Sequence, residues 1–209
     1  MESKDTVQID INILRPKALK DYIGQENAIK TLQLFLQAVK SRGAATEHIL
    51  FYGPPGIGKT TLSYIISNEL EGNIKITSGA AISKTGDLAA ILTNLKDNDV
   101  LFIDEIHRMP KPVEEMLYPV IEEYALDIII GKGPSARTMR LPVPQITIVG
   151  ATTKLPLLSA PLRDRFGLVL RLDYYTDSEM AEIVQRSAAL MNVKITREAI
   201  KEIANRARK

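Results

Sequence analysis

The feature that most constrains this chain is a glycine-rich stretch between an apolar run and a helical pattern. Residues 53–61 read GPPGIGKTT and fill every fixed position of the pattern G-x-x-x-x-G-K-[ST]. The apolar run at 49–52 predicts a buried strand, and the apolar spacing after the glycines predicts a helix. In that setting, backbone N–H groups and the helix dipole surround anionic oxygens. The sequence therefore predicts a phosphate-binding loop, and a plain Gly/Pro turn is the less favoured alternative.

Four side chains carry the chemistry expected of such a loop. Lys59 should reach the β- and γ-phosphates, and the Thr60 hydroxyl is placed to bind Mg²⁺. The pair Asp104-Glu105 directly follows the apolar run 100–103. We expect Asp104 to hold the metal ion through its water shell and Glu105 to polarise a water for attack on the γ-phosphate. Two solvated loop carboxylates are the alternative.

Apolar runs and helical patterns alternate along most of the chain, which predicts right-handed crossovers and a parallel sheet with ligands at the carboxyl ends of its strands. The predicted fold class is α/β: a P-loop NTPase with a parallel five-stranded sheet flanked by helices. The predicted strands are 49–52, 74–77, 100–103, 145–150 and 168–172. Predicted helices end near 43, cover 62–70 and 88–95, begin near 112 with an interruption at Pro119, cover 176–191, and run from 196 to 209.

One segment breaks this alternation, and a second changes it. Residues 127–130 and 137–141 predict two strands around a glycine-rich turn, an inserted β-hairpin whose isoleucines suggest a contact surface. From Thr176 onward the pattern is helical only, and it opens with a capping box. We therefore expect a large nucleotide-binding subdomain with an N-terminal arm at 1–172, and the start of a small helical subdomain at 173–209.

Composition narrows the class of function only slightly. The chain has 27 basic and 25 acidic residues, a net charge of +2 that neither demands nor excludes a nucleic-acid partner. It has no cysteine, which excludes disulfides and thiolate metal sites and is compatible with a cytoplasmic location. Because two histidines cannot form a histidine-rich metal site, we expect His107 to be a hydrogen-bonded structural residue. We expect no secretory signal, since residues 1–5 are polar and no apolar run follows them, and no membrane span, since no run approaches about 18 apolar residues.

Two pairs of polar residues stay ambiguous when only their spacing is considered. Thr152 or Thr153 could offer a hydroxyl to the γ-phosphate or to the attacking water, or could simply cap a loop. Arg163 or Arg165 could neutralise charge on the transferred phosphoryl group of a neighbouring subunit. Surface ion pairing with Asp164 is the alternative for the arginines.

A series of short motifs extends the pattern well beyond the phosphate loop. They are Arg15-Pro16, Tyr22-Ile23-Gly24-Gln25, Asp104-Glu105-Ile106-His107-Arg108, the GKGPSAR stretch at 131–137, Gly150-Ala151-Thr152-Thr153 and Pro161-Leu162-Arg163-Asp164-Arg165-Phe166-Gly167. With residues 53–61 they resemble the RuvB family, the bacterial AAA+ motors of Holliday-junction branch migration. The resemblance runs from about residue 14 to the end. The loop and acidic pair are common to all AAA+ ATPases, whereas 118–137 is far more specific.

The resemblance implies ATP or ADP with Mg²⁺ between the two subdomains, and a hexameric ring on duplex DNA of Holliday junctions. The implied setting is DNA recombination, DNA repair and the SOS response to DNA damage. Thr152 becomes the sensor threonine, Arg165 the arginine finger for a neighbour's site with Arg163 as a second candidate, and the hairpin at 128–141 the contact with RuvA. The residues placed at the nucleotide are Leu14, Arg15, Tyr22, Ile23, Gly53, Gly56, Gly58, Lys59, Thr60, Thr61, Asp104, Glu122, Glu123, Tyr124, Arg165 and Tyr175.

The C-terminal end departs from the family pattern. The family continues with a Gly-Thr-Pro-Arg segment, whose arginine touches the nucleotide, and with a winged-helix DNA-binding domain, and neither occurs in these 209 residues. We therefore expect the chain to be a fragment, with DNA bound mainly by the missing domain. The alternatives are a clamp-loader-like or other AAA+ remodelling ATPase, and, for this length of chain, a nucleotide-binding interaction module with little turnover.

Overall fold

A computed structural model describes residues 11–42, 47–131 and 137–207, without the side chains of residues 11, 12, 42, 129 and 130. The strands are β1 (Ile49–Tyr52), β2 (Ile74–Ser78), β3 (Val100–Asp104), β4 (Ala125–Ile130), β5 (Arg137–Pro142), β6 (Thr147–Thr152) and β7 (Leu168–Arg171). The helices are α1 (Glu26–Arg42), α2 (Lys59–Glu69), α3 (Thr85–Leu92), α4 (Lys111–Glu123), α5 (Ala160–Arg163), α6 (Asp177–Leu190) and α7 (Arg197–Arg206).

Five of the strands form one parallel sheet in the spatial order β2-β3-β6-β1-β7. The predicted α/β class with a five-stranded parallel sheet is therefore confirmed. In the register, Tyr52 lies opposite Thr152, and Ile103 lies opposite Gly150. The carboxyl ends of β1, β6 and β3 consequently lie side by side, and the three segments that carry the predicted chemistry leave the sheet at one edge.

Each face of the sheet buries its own apolar cluster. On one face, β-strand residues such as Phe51 and Phe102 pack with α1 and α2. On the other face, residues such as Leu50 and Ile103 pack with α3 and α4. Side chains alternate between the two faces along each strand, and both clusters exclude water, so central strands such as β1 and β3 are continuous apolar runs. This double burial holds the edge with the chemical residues rigidly in place.

Several predicted boundaries were wrong, including the end of α3, which lies at Leu92 and not near 95. Helix α4 continues through Pro119 to Glu123 instead of breaking there. Its buried face, which includes Leu117 and Val120, packs into the core and outweighs the one hydrogen bond that proline cannot donate. Helix α7 ends at Arg206, before the predicted position, because Ala207 is extended. Strand β6 begins two residues later than the sequence predicted and includes Thr152.

The inserted hairpin is present as a separate antiparallel pair. Strands β4 and β5 pair from Ala125 opposite Pro142 to Ile130 opposite Arg137. The predicted glycine-rich turn falls largely on residues 132–136, which lie outside the described residues. The expected exposure of the isoleucines was wrong for Ile128, which packs against the core, and the side chains of the next two isoleucines are not described. The residues of β5 from Arg137 to Arg140 are all exposed.

The C-terminal helices carry the capping chemistry that the sequence indicated. Thr176 forms a capping box with Glu179 at the start of α6, and Thr196 caps α7. These caps satisfy backbone N–H groups at the exposed helix starts, which fixes where the helical region begins. None of the helices in the described part of the chain combines the length and apolar character needed to cross a membrane.

Candidate functional site

A polar cleft lies where β1, β3 and β6 end. It is lined by Pro55, Gly56, Gly58, Lys59, Thr60, Thr61, Asp104, Glu105 and Thr153. The structure therefore gathers the predicted phosphate loop and the predicted acidic pair around one space. Each group arrives from a different strand end, which is the arrangement that an open parallel sheet offers to a ligand.

Lys59 is the cationic centre of this cleft. Its side chain is buried, with 7% of the residue exposed, and its ammonium group donates to the carbonyls of Gly53 at 2.9 Å and Pro54 at 2.5 Å. Burial lowers the pKa of Lys59, while the nearby Asp104 and Glu105 oppose that shift. Among the described residues, no carboxylate lies within ion-pair distance of this ammonium. A buried cation held only by carbonyls suits an anionic ligand.

The loop is shaped by three glycines with positive φ, of which Gly53 has a φ of 152°. Gly58 has a φ of 96°, and a Cβ there would lie 2.4 Å from the Tyr22 hydroxyl oxygen. Gly56 has a φ of 82° and faces open space. Gly58 also begins α2 without a capping side chain, so the N-terminus of that helix faces the cleft with its positive dipole. The loop is thus a cradle for phosphate oxygens.

Asp104 and Glu105 differ in surroundings although they are neighbours. Asp104 ends β3, and its Oδ1 accepts the N–H of Glu105 at 2.9 Å. Glu105 adopts a left-handed conformation with a φ of 46°, and the Thr153 hydroxyl donates to both of its carboxylate oxygens at 3.2 Å. Left-handed backbone at a residue other than glycine is a strained state typical of functional sites.

The lining residues fit the metal ion expected for this cleft. Thr60 and Asp104 both face the cleft, so one hydroxyl and one carboxylate are available as oxygen donors. Within the described residues, no three histidine, aspartate or glutamate side chains gather into a closed metal cage. Mg²⁺ keeps several waters and binds through few protein oxygens together with phosphates, so this sparse donor set suits it.

The two adjacent threonines are separated by the structure. Thr152 is fully buried, and its hydroxyl lies 2.7 Å from Nδ1 of His107 instead of facing the cleft. Thr153 lines the cleft and contacts Glu105. Strand β6 ends at Thr152, and alternation turns successive side chains in opposite directions. The geometry thus favours Thr153 over the predicted Thr152 for contact with a phosphate.

A second cavity, of about 330 Å³, opens beside the phosphate loop. Predicted nucleotide-binding residues supply much of its lining, and its volume lies within the range of small-molecule sites. The predicted residues in its wall are Leu14, Arg15, Tyr22, Ile23, Gly56, Gly58, Thr61 and Tyr175.

Two tyrosines join this cavity to the loop. The hydroxyls of Tyr22 and Tyr175 each lie 3.1 Å from the Ile57 carbonyl oxygen and 2.9 Å from each other. Burial raises the pKa of both phenols, so both remain protonated hydrogen-bond donors. The N-terminal arm, the loop and the start of α6 therefore meet at one carbonyl.

Helix α6 adds cavity residues that sequence reasoning missed. Met180, Ile183, Arg186 and Ser187 line the cavity, and Nη1 of Arg186 donates to the Leu14 carbonyl at 3.2 Å. Their spacing marks one face of a helix, which the sequence does show. It does not show that this face turns toward the phosphate loop, because that depends on tertiary packing.

Arg165 lies outside both cavities. Its guanidinium carbon is 4.4 Å from the centre of the Tyr118 ring, and Nη1 donates to the Pro161 carbonyl at 2.6 Å. Nε lies 3.0 Å from Oε1 of Glu122, close enough for an ion pair but out of line for a hydrogen bond. Arg163 instead pairs with the exposed Asp164 at 3.4 Å. The two candidate arginines therefore differ, and only Arg165 is held by the core of the subdomain.

The remaining predicted nucleotide contacts also lie away from the cleft. Glu122, Glu123 and Tyr124 end α4 next to Arg165, and none of them lines either cavity of this chain. Glu123 pairs with Arg140 of the hairpin. Of the three, Glu122 is the residue that contacts Arg165.

Comparison with known proteins agrees with this geometry. Residues 14–172 match the family model described as the Holliday junction DNA helicase RuvB P-loop domain, and residues 175–209 match the RuvB AAA lid domain. Together the two matches extend over nearly the whole chain.

Solved structures show the same likeness. The Thermotoga maritima RuvB Holliday junction branch migration motor is similar at 50% identity with a TM-score of 0.81, covering 93% of this chain and 60% of that one. Two point mutants of Thermotoga maritima RuvB give TM-scores of 0.83 at 52% and 51% identity, with 92% and 60% covered. The chain spans about 60% of the length of these relatives.

Proposed function

The chain belongs to the RuvB family of Holliday junction DNA helicases, and we propose that it is the ATP-binding and ATP-hydrolysing core of a branch-migration motor. The observation that carries this proposal is the cleft itself, in which Lys59 and Glu105 line one space. A cationic phosphate cradle with a carboxylate beside it is what in-line attack of water on a γ-phosphate requires.

The residues of the cleft divide the work. Lys59 leaves the loop carbonyls to neutralise the β- and γ-phosphates, and Thr60 and Asp104 hold Mg²⁺. When bound, Mg²⁺ would supply positive charge that offsets the negative charge developing on the phosphates. Glu105 accepts a proton from the attacking water. Thr153 takes the sensor role predicted for Thr152, because its hydroxyl lies in the cleft within reach of Glu105.

Arg165 completes the site of a neighbouring subunit in a hexameric ring. Support comes from its position outside the chain's own cleft and from its fixed side chain. A positioned arginine stabilises charge on the transferred phosphoryl group, an effect worth about 10³ to 10⁵ in rate. Glu122 contacts Arg165, and with Glu123 and Tyr124 at the end of α4 it would contact that neighbour's nucleotide.

Two further parts of the proposal rest on the family. The hairpin at 128–141 contacts RuvA. The exposure of residues Arg137 to Arg140 in β5 supports this contact. Duplex DNA of Holliday junctions passes through the ring, and a domain outside this chain supplies most of the DNA contact. The large subdomain covers 1–172 and the lid begins at 173, where the sheet gives way to helices.

The test is ATP turnover of the full-length gene product in the presence of RuvA and four-way junction DNA. Glu105→Gln should lower turnover about 10² to 10⁴-fold while ADP still binds, since general-base catalysis contributes that much. Lys59→Ala should abolish binding as well. Lys30→Ala, at an exposed lysine of α1 outside the cleft, is the control. Full turnover by Glu105→Gln would contradict the assigned mechanism.

A further inference from the structure

Thr152 connects the phosphate loop to the catalytic carboxylate. Its carbonyl accepts the N–H of Gly53, the first residue of the loop, at 3.2 Å. Its hydroxyl lies 2.7 Å from Nδ1 of His107 and accepts the N–H of Lys154 at 3.0 Å. Thr152 is fully buried, so none of these groups can be satisfied by bulk water.

The single proton of the Thr152 hydroxyl determines which member of the Thr152–His107 pair is the hydrogen-bond donor. A hydroxyl has one proton to donate, and the Thr152 oxygen already accepts from Lys154. Among the described residues, the acceptor within reach of that proton is Nδ1 of His107. The opposite assignment would leave a buried hydroxyl proton without a partner, which costs about 1–3 kcal/mol. His107 therefore carries its proton on Nε2.

The other side of the imidazole faces Glu105. Nε2 of His107 lies 3.3 Å from Oε2 of Glu105, and the histidine side chain is only 7% exposed. A proton on Nε2 presents the positive end of the N–H dipole to the carboxylate, whereas a bare lone pair would repel it. The tautomer required by Thr152 is thus also the one that attracts Glu105.

The backbone of Glu105 explains why such support is needed. Its left-handed conformation, with φ 46° and ψ 46°, is uncommon for a residue other than glycine and is maintained only where the surroundings enforce it. The Glu105 side chain is 31% exposed, and the partners of its carboxylate are Thr153 on one side and His107 on the other. Without His107, one side of the carboxylate would be unrestrained.

We propose that Thr152 and His107 form a positioning relay that orients Glu105 toward the attacking water. Thr152 sets the tautomer and ring position of His107, and His107 holds the carboxylate. Neither residue touches the phosphates. The relay also ties the orientation of Glu105 to the phosphate loop, because the same Thr152 binds Gly53 through its carbonyl. This inference rests on the proposed role of Glu105 as the base.

The first test does not depend on activity. Side-chain ¹⁵N spectra of the full-length gene product, assigned with His107→Gln and His48→Gln variants, report the tautomer of each ring. The relay predicts the Nε2–H form for His107, and a loss of that preference in Thr152→Val. A protonated Nδ1 in the unmodified protein would overturn the proposal, and this measurement requires no variant at position 152 to fold.

The second test separates positioning from stability. Thr152→Val should lower kcat about 10- to 100-fold, since small misplacement of a catalytic group has effects of that size, while ADP affinity stays within about twofold. Thr152→Ser, which keeps the hydroxyl, should restore most of the kcat. Thr31→Val is the matched control because it removes an exposed hydroxyl that bonds only within α1.

Three outcomes of the second test would count against the relay. One is a Thr152→Val variant that turns over as fast as the control. Another is equal loss of kcat and ADP affinity, and the third is the same defect in Thr152→Ser, because both indicate a purely structural residue. Failure of the proposed function would look different: Glu105→Gln would retain turnover while the His107 spectrum stayed as predicted.

Discussion

The phosphate cleft and the surface around Arg165 hold their charged groups in opposite ways. In the cleft, Lys59 contacts only carbonyls of its own loop, and its charge has no carboxylate partner among the described residues. Outside the cleft, Arg165 is held by the Tyr118 ring, the Pro161 carbonyl and Glu122. The Lys59 ammonium faces a cleft that suits an anionic ligand, whereas the Arg165 guanidinium is held in place outside that cleft.

This difference supports the proposal that one chain carries two halves of an active site that do not meet within it. The Tyr118 ring that supports Arg165 is itself fixed, because its hydroxyl donates to the buried Glu114 at 2.7 Å. Ser159 and Lys111 donate to the same carboxylate. Such a network costs stability unless every member is satisfied, so its presence behind one exposed arginine fits a functional surface.

Removing the Arg165 guanidinium should have the largest effect, and that effect is on ATP turnover. Arg165→Ala should lower ATP turnover of the assembled full-length protein about 10³- to 10⁵-fold, the range for an arginine supplied in trans. ADP affinity should remain unchanged, because Arg165 lines neither cavity. Steady-state turnover and ADP titration measure both quantities. Arg163→Ala is the matched control, since Arg163 pairs only with exposed Asp164, and an equal loss in that control would remove the distinction between the two arginines.

A change confined to the cleft should have a smaller effect. Gly58→Ala would place a Cβ 2.4 Å from the Tyr22 hydroxyl at a φ of 96°. Strain of this kind costs about 1–3 kcal/mol, so ADP should bind up to about 100-fold more weakly by calorimetry. Gly86→Ala is the control, because its Cβ would enter open space. Unaltered affinity in Gly58→Ala would mean that the loop and the tyrosine pair move freely.

The smallest expected effect is a loss of stability at low pH caused by His48. Nδ1 of His48 accepts the N–H of Ile148 at 2.9 Å in β6, and Nε2 lies 3.1 Å from the Ile121 carbonyl in α4. Burial lowers the pKa of His48 from 6.5 to about 4. The unfolded chain therefore takes up a proton at a higher pH than the folded one.

Stability contributed by His48 should be complete above pH 6.5 and be lost as the pH falls toward 4. At pH 5 the loss relative to pH 7 should be about 2 kcal/mol. Denaturant unfolding of wild type and His48→Gln at both pH values measures it, since the variant lacks this titration. Parallel pH dependence in the two proteins would show that His48 is not the acid-sensitive link.

Much of the fold could be predicted because apolar runs report burial directly. The runs at 49–52 and 100–103 became β1 and β3 almost without change, since both faces of these strands are buried. The predicted break at Pro119 was wrong because the buried face of α4 stabilises the helix by more than the proline destabilises it. The register between strands, which places Thr152 opposite Tyr52, has no signature in a single sequence.

The site could be predicted only where a motif specifies both a residue and its direction. Lys59 and Glu105 follow directly from their motifs. Thr152 and Thr153 are adjacent and chemically identical, so only the end of β6 reveals which hydroxyl faces the cleft. Arg163 and Arg165 posed the same problem, and their different partners distinguish them only in three dimensions.

The central claim is that the two half-sites lie on one chain but act between chains. Mixing full-length Arg165→Ala with full-length Lys59→Ala tests it most directly, because each variant lacks a different half. We predict that the mixture hydrolyses ATP at a rate well above the summed rates of the separate variants, at interfaces where an intact cleft meets an intact Arg165. Turnover no greater than that sum, in rings shown to contain both variants, would contradict it.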